Sequence, residues 1–232
     1  MVNNFCNIGK ETKFRKQKYF TQMKNTLFIP EQKTPHFYLP AHTVIWKQDL
    51  SHLKKSFSKN DLETFLSLYS LAETNPKKAK KEVEVFRNNH PDHPEVLNLL
   101  TYLSVRRKRI RQAERLIDEN FQKNPDYLFA RINYADLCLR RKKLQKIPEL
   151  FNFKFNLRDF CPNKKMFHIS EFRGFMVMMG HYHLLIQKRE AAECYHYLAH
   201  RVDPQHPSTK VLQKKLYYKP LYKRLILKLF PS

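Results

Sequence analysis

Ala79 and Ala113 stand 34 residues apart, and so do Pro91 and Pro125. Ala192 and Pro204 keep the 12-residue gap that separates each earlier alanine from its proline. Twelve residues before each alanine is a small residue: Ser67, Thr101 and Gly180. Ala135 precedes Ile147 by the same interval as a fourth, less regular copy. This rhythm predicts units of two antiparallel helices that cross closely, with a small side chain on each at the crossing. Proline then ends the second helix, because it lacks the backbone N–H and restricts the residue before it.

The unit Pro94 to Tyr127 shows the pattern best. Leu97, Leu100 and Ser104 follow helical spacing, Arg106 to Arg109 form a basic turn, and Leu116, Ile117 and Phe121 resume the spacing. The unit from Phe129 to about Asn156 keeps Arg131, Tyr134, Ala135 and Cys138, but Pro148 shortens its second helix. From Ile147 to Ala192 is 45 residues, an insertion of 11 relative to the period. The last unit, Arg173 to His206, carries Met176, Met179, Gly180, His183, Ala192, His196 and Ala199 at the expected positions. A 34-residue period with small, small and proline in this order resembles the tetratricopeptide repeat. The fold expected is therefore all-α: a right-handed superhelix of helical hairpins with an extended basic N-terminal arm. Its repeats span 60–93, 94–127, 128–161 and 173–206, with the insertion at 162–172. The rival architecture is an irregular helical bundle, which shares the helices but not the even stacking.

The ends read differently. Residues 1–58 hold ten Lys or Arg against three acids, and up to Gln22 they show no apolar period. Residues 1–42 are expected to be a basic, partly extended arm, with Met23 as an alternative start. Pro30, Pro35 and Pro40 punctuate a surface stretch anchored by Phe37 and Tyr38. Trp46, Leu50, Leu53 and Phe57 fall at i, i+4, i+7 and i+11, which predicts a capping helix over 43–59. Residues 207–232 are expected to cap the other end, with Ser208 starting a helix that carries Val211, Leu212 and Leu216. After Pro220, Leu221, Leu225 and Leu229 share a face away from Lys223, Arg224 and Lys228. That tail reads as a second capping helix in preference to one lying on a membrane surface.

Only three glycines are present, so no glycine-rich phosphate loop can be built, and no cofactor is expected. Cys6, Cys138, Cys161 and Cys194 lack a paired spacing, which suits buried thiols in a reducing, cytoplasmic setting. No arrangement of nucleophile, base and acid stands out, and the chain is read as a non-enzyme. The weak metal candidates are His183, His196 and His200, since His196 and His200 are i, i+4 on one helix and His183 lies on its partner. Histidines at positions where the repeat packs aromatic rings read more simply as core.

The formal net charge is +23. Arg106, Arg107, Lys108 and Arg109 occupy one inter-helix turn, Arg140, Arg141, Lys142 and Lys143 the equivalent turn, and Lys188 and Arg189 that of the last unit. Stacked turns make a basic ridge that would face a polyanion such as RNA or DNA. Most of the Phe and Tyr side chains sit at core spacing, although Phe151, Phe153 and Phe155 alternate with polar residues as in a strand. The resemblance implies that the first helices line an inner groove for a protein or peptide partner. Asn98, Tyr102, Phe129, Ile132, Asn133, Asp136, His181 and Leu184 would line it here. The carboxylate clamp of chaperone-tail binders is missing, since Thr64, Leu68, Leu99, Gly174 and Met178 occupy its positions and only Asn133 matches. The expected function is a non-catalytic scaffold or adaptor.

Overall fold

The computed structural model describes residues 26–35, 37–47 and 49–218. Cys6, the basic arm to Gln22, the start at Met23 and the tail after Pro220 lie outside them. The architecture is an all-α solenoid of helical hairpins carrying two small sheets. The hairpins are α2 (Lys59–Thr74) with α3 (Pro76–Asn89), α4 (Pro94–Arg106) with α5 (Ile110–Lys123), α6 (Leu128–Arg140) with α7 (Lys146–Leu150), and α9 (Ile169–Leu185) with α10 (Arg189–Val202). A short α1 (Ser51–Ser56) precedes them, α8 (Leu157–Phe160) lies just before the insertion, and α11 (Pro207–Tyr217) follows. Several helix starts have a local cause. Ser58 and Asn75 accept hydrogen bonds from the backbone N–H groups of Asp61 and Lys78 (both 3.1 Å), and prolines open α3, α4 and α11. His168 and Glu171 close a reciprocal cap on α9.

The crossings hold the hairpins together. Thr101, Ala113, Ala135, Gly180 and Ala192 are buried, as are Ala79 and Ile147. Ser67 is the exception: it is exposed, and its hydroxyl bonds back to the Thr64 carbonyl (3.0 Å). Helix α2 buries Phe65, Leu68 and Ala72 instead, so its buried stripe is rotated away from the serine.

Three hairpin turns share one geometry. Lys108, Lys142 and Gln187 have φ of 57°, 57° and 62°, the left-handed conformation that normally favours glycine. At each, the left-handed residue's N–H bonds three residues back (Val105, Leu139, Leu184). The next N–H bonds five residues back, to Ser104, Cys138 and His183 at 2.9 Å in every case. The first hairpin omits this turn, because Asn75 both ends α2 and caps α3.

The N-terminal segment departs from the expected capping helix at 43–59. Residues His42–Ile45 form strand β4, antiparallel to β1 (Thr26–Ile29) and parallel to β5 (Met166–His168). Strands β2 (Gln32–Lys33) and β3 (Tyr38–Leu39) pair separately. Thr43 and Ile45 face outward while His42 and Val44 are buried, a period of two that the i, i+4 count of apolar residues concealed. Trp46 is exposed, and its carbonyl accepts a bond from His168 Nε2 (3.1 Å). Phe37 packs edge-on against Tyr195, whereas Tyr38 is exposed.

The strand segment packs on the far end of the chain. Ile29, Leu39 and Val44 share a core with Phe151, Phe167, Phe172, Phe175 and Tyr195, while residues of α1 to α5 form a second core around Phe65, Leu97 and Leu100. Pro148 leaves α7 only five residues long. A full second helix would cover the flank of the last hairpin, and here the insertion aromatics and the strand segment cover it. Phe151, Phe153 and Phe155 form no strand: Phe151 and Phe155 join this core and Phe153 is exposed with φ 58°.

A methyl on Gly180 would meet Leu212 Cδ2 at 2.5 Å, whereas one on Gly174 meets Ile132 at 3.8 Å. We expect Gly180→Ala to lose about 1–3 kcal/mol through overpacking, and Gly174→Ala to be neutral or to gain up to about 1 kcal/mol of helix propensity. Lys108→Gly and Lys142→Gly should each stabilise by about 0.5–1 kcal/mol by relieving left-handed strain. Urea denaturation of the variants checks all four.

Candidate functional site

The first helices α2, α4 and α6 present a run of half-exposed side chains. Asn133 Nδ2 donates to Asn98 Oδ1 (3.0 Å), tying α6 to α4. Tyr102 is exposed, and beside it burial and the carboxylates of Glu95 and Glu73 raise the pKa of Tyr69. Asp136 pairs with Arg140 (3.0 Å), and Phe129 lies half-buried against Tyr127. Leu66, Tyr69 and Val105 add exposed surface on α2 and α4 that sequence reasoning missed. Tyr69 and Tyr102 lie 33 residues apart, one short of the period, and that near-repeat was the available signal.

At its C-terminal end the expected groove is less exposed. Ile132 is buried, adjacent to Gly174. Leu184 is half-buried against the core, and His181 is half-buried within reach of Lys215 on α11. Helix α11 packs on both α9 and α10, so it covers part of the last unit.

The basic turns divide into engaged and unengaged cations. Arg106 spends its guanidinium on the last carbonyls of α2, Ala72 (3.3 Å) and Glu73 (3.2 Å), and on Tyr102 Oη (3.1 Å). Arg140 and Arg141 clamp Glu114 at 3.2 and 3.0 Å. Arg189 bonds Glu193 (2.8 Å) and the Leu216 carbonyl (2.9 Å). Among the described residues, Arg107, Lys108, Arg109, Lys142, Lys143 and Lys188 form no ion pair with a carboxylate. The cations left to attract a ligand are thus fewer than the sequence implied.

The histidines separate. His183 stacks on Tyr195 (5.2 Å between ring centroids, 19°) and touches Phe37, Phe155 and Tyr182. His196 instead faces His200 (5.6 Å) and Tyr217 (5.5 Å). No cluster of three or more metal-ligating side chains occurs among the described residues. Burial lowers the pKa of His42, His183 and His196 to about 4. Cys194 is pushed up to about 11, chiefly by burial.

The fold is an array of helical hairpins. No protein-family model matches the chain, and no curated protein matches it. Among solved structures it is similar to MamA 41-end from Desulfovibrio magneticus RS-1, at 11% identity and a TM-score of 0.43, over 74% of this chain and 97% of that one. No helix among the described residues is long and apolar enough to cross a membrane.

The buried histidines carry a pH signature. Their folded pKa lies below the unfolded value of 6.5, so between about pH 6.5 and 4 the unfolded chain binds more protons. Stability should therefore be flat above this window and fall as pH drops through it, by at most about 1.4 kcal/mol per pH unit per histidine. His52, whose bond to Glu95 raises its pKa, acts oppositely, but it is half exposed and screened. His42→Phe should reduce the slope, since Phe167 and Phe172 already surround that ring. Urea midpoints at several pH values measure it, and an unchanged slope would contradict the assignment.

Proposed function

We propose that this protein is a non-catalytic scaffold whose first-helix face, centred on Tyr69 and Tyr102, holds an extended segment of a partner protein. The observation that carries this reading is the exposure of Leu66, Tyr69, Tyr102 and Val105 on two consecutive first helices, next to the Asn98–Asn133 amide pair. Rigid tyrosines supply apolar contact area at low entropic cost, and amides offer donors and acceptors to a peptide backbone. The docked segment would start on α2 and α4 and extend toward Asn133 and Asp136. Its acidic flanks would meet the unengaged cations of the two central turns. The separate thiols with raised pKa support placing the protein in a reducing, cytoplasmic setting.

One observation favours a second reading. The same left-handed turn recurs three times and carries Arg107, Lys108, Lys142, Lys143 and Lys188. A nucleic acid running along that edge would displace counterions, so its affinity would fall steeply with salt.

The two readings part in one experiment. Proteins retained by the immobilised chain from nuclease-treated lysate are compared with those retained by Tyr69→Ala/Tyr102→Ala and by Lys108→Gln/Lys142→Gln. The scaffold reading predicts a discrete protein that persists at high salt and is lost at least about tenfold in the tyrosine variant, as expected for interface hot spots. Retention lost only in the lysine variant, together with nuclease-sensitive RNA recovered from untreated lysate, would replace it with the polyanion reading.

A further inference from the structure

The three-stranded sheet turns one face to the core and leaves apolar side chains exposed on the other. Leu27, Val44 and Phe167 pair across β1, β4 and β5, and Val44 and Phe167 are fully buried in the core. The adjacent row, Phe28, Thr43 and Met166, points outward, because successive side chains on a strand take opposite faces. Phe28 is 62% and Met166 51% exposed. A cleft of about 550 Å³ lies between this face and the start of α1, with Ile45, Leu50 and Met166 as its apolar lining.

The charge around these apolar groups is positive. Lys47 and Lys54 line the cleft, both are exposed, and neither forms an ion pair with a carboxylate among the described residues. Asp49 also lines it, and its carboxylate accepts the Ser51 N–H (2.9 Å). Strand β1 opens at Thr26, another lining residue, so residues 1–25 join the structure at this cleft. Those residues carry six Lys or Arg against one acid.

We propose that this sheet face seats the protein on the surface of an anionic lipid bilayer, independently of what the first-helix face holds. Phe28, Ile45 and Met166 enter the boundary between headgroups and acyl chains, while Lys47, Lys54 and the basic residues before Thr26 meet lipid phosphates. An apolar patch and a basic segment are each weak membrane signals, and together they hold a protein at the surface. Lysine stems lie along apolar surface while their ammonium groups reach outward, so the rim and the patch act together. Trp46, the one tryptophan of the chain, is 43% exposed between Ile45 and Lys47, and its amphipathic ring suits the headgroup level. A nucleic acid fits this face less well, since Ile45, Leu50 and Met166 have no π-face on which a base could stack.

The probe is a phosphatidylcholine vesicle containing phosphatidylserine, compared with one of phosphatidylcholine alone. Both are sedimented with the full chain while Trp46 emission is read. We expect at least about tenfold stronger binding to the anionic vesicle, weakened by salt. Trp46 emission should shift to the blue and be quenched by lipids brominated near the top of the acyl chain. Lys47→Gln/Lys54→Gln should cut binding by about tenfold or more, and Phe28→Ser/Met166→Ser by a similar factor. All four residues are exposed, so circular dichroism should be unchanged. If the serine pair disturbs the fold, the lysine pair and Trp46 quenching in the unaltered chain decide the matter. Binding that survives both double variants, or leaves Trp46 emission unchanged, would place the contact elsewhere and overturn the proposal. Equal binding to the two vesicles, or none to either, would overturn it as well. RNA retained by the chain and lost in the lysine variant, with no vesicle binding, would replace the bilayer with a nucleic acid.

Discussion

Two helices can run side by side at hairpin distance only where the side chains between them are small, and that requirement organises this molecule. Ala113 with Thr101, and Ala192 with Gly180, are buried within their hairpins. At Gly180 an added methyl group would press on Tyr195 Cβ of the partner helix at 3.4 Å and run into Leu212 of the following helix. Close crossing leaves little room for the connection, and the chain answers three times with the same tight left-handed turn. Putting lysine or glutamine there accepts local strain, and at two of the three it fixes cations along one edge of the stack. The same regularity aligns the first helices so that Asn98 reaches Asn133 and Arg106 reaches back to the end of α2.

The repeat breaks at Pro148, and the break explains the rest of the fold. A five-residue α7 cannot cover the flank of the last hairpin. Phe151, Phe155 and Phe37 cover it with help from strands, β1 and β4 from before the repeat array and β5 from the insertion within it. An aromatic cleft at the α9–α10 turn is a by-product of this patch, since loops and strands do not fill the space beside Tyr182 and His183 as a helix would. Irregularity in a repeat array thus leaves a cleft of about 540 Å³ beside Tyr182 and His183, whereas the regular part offers an open face.

What was legible in the sequence was whatever depends on neighbours within one or two helical turns. The alanine and proline intervals gave the hairpins, and the equivalence of Arg106–Arg109 with Arg140–Lys143 gave the shared turn. Pro148 signalled the short helix. Pairings across more than a hundred residues left no local trace: β4 with β5, His168 with Trp46 and Phe37 with Tyr195 depend on a fold already formed. Trp46, Leu50, Leu53 and Phe57 showed a helical period, yet two of them serve a strand end and a linker and only Leu53 lies within a helix. The same limit applied to the surfaces. Ile132 looked like groove and is core, and Ser67 looked like a crossing and is exposed. Carboxylates from neighbouring helices engage Arg140 and Arg141, and that subtraction from the basic ridge required coordinates.

Site-specific photocrosslinking tests the central claim, that the first-helix face of α2 and α4 is where a partner protein docks. A benzophenone side chain is placed in turn at Tyr69, Tyr102, Lys108 and Lys142 of the full chain and irradiated in cells. The account predicts a discrete, nuclease-resistant protein adduct from Tyr69 and Tyr102. Adducts confined to Lys108 and Lys142 that shift on nuclease treatment would contradict it and move the function to the basic edge.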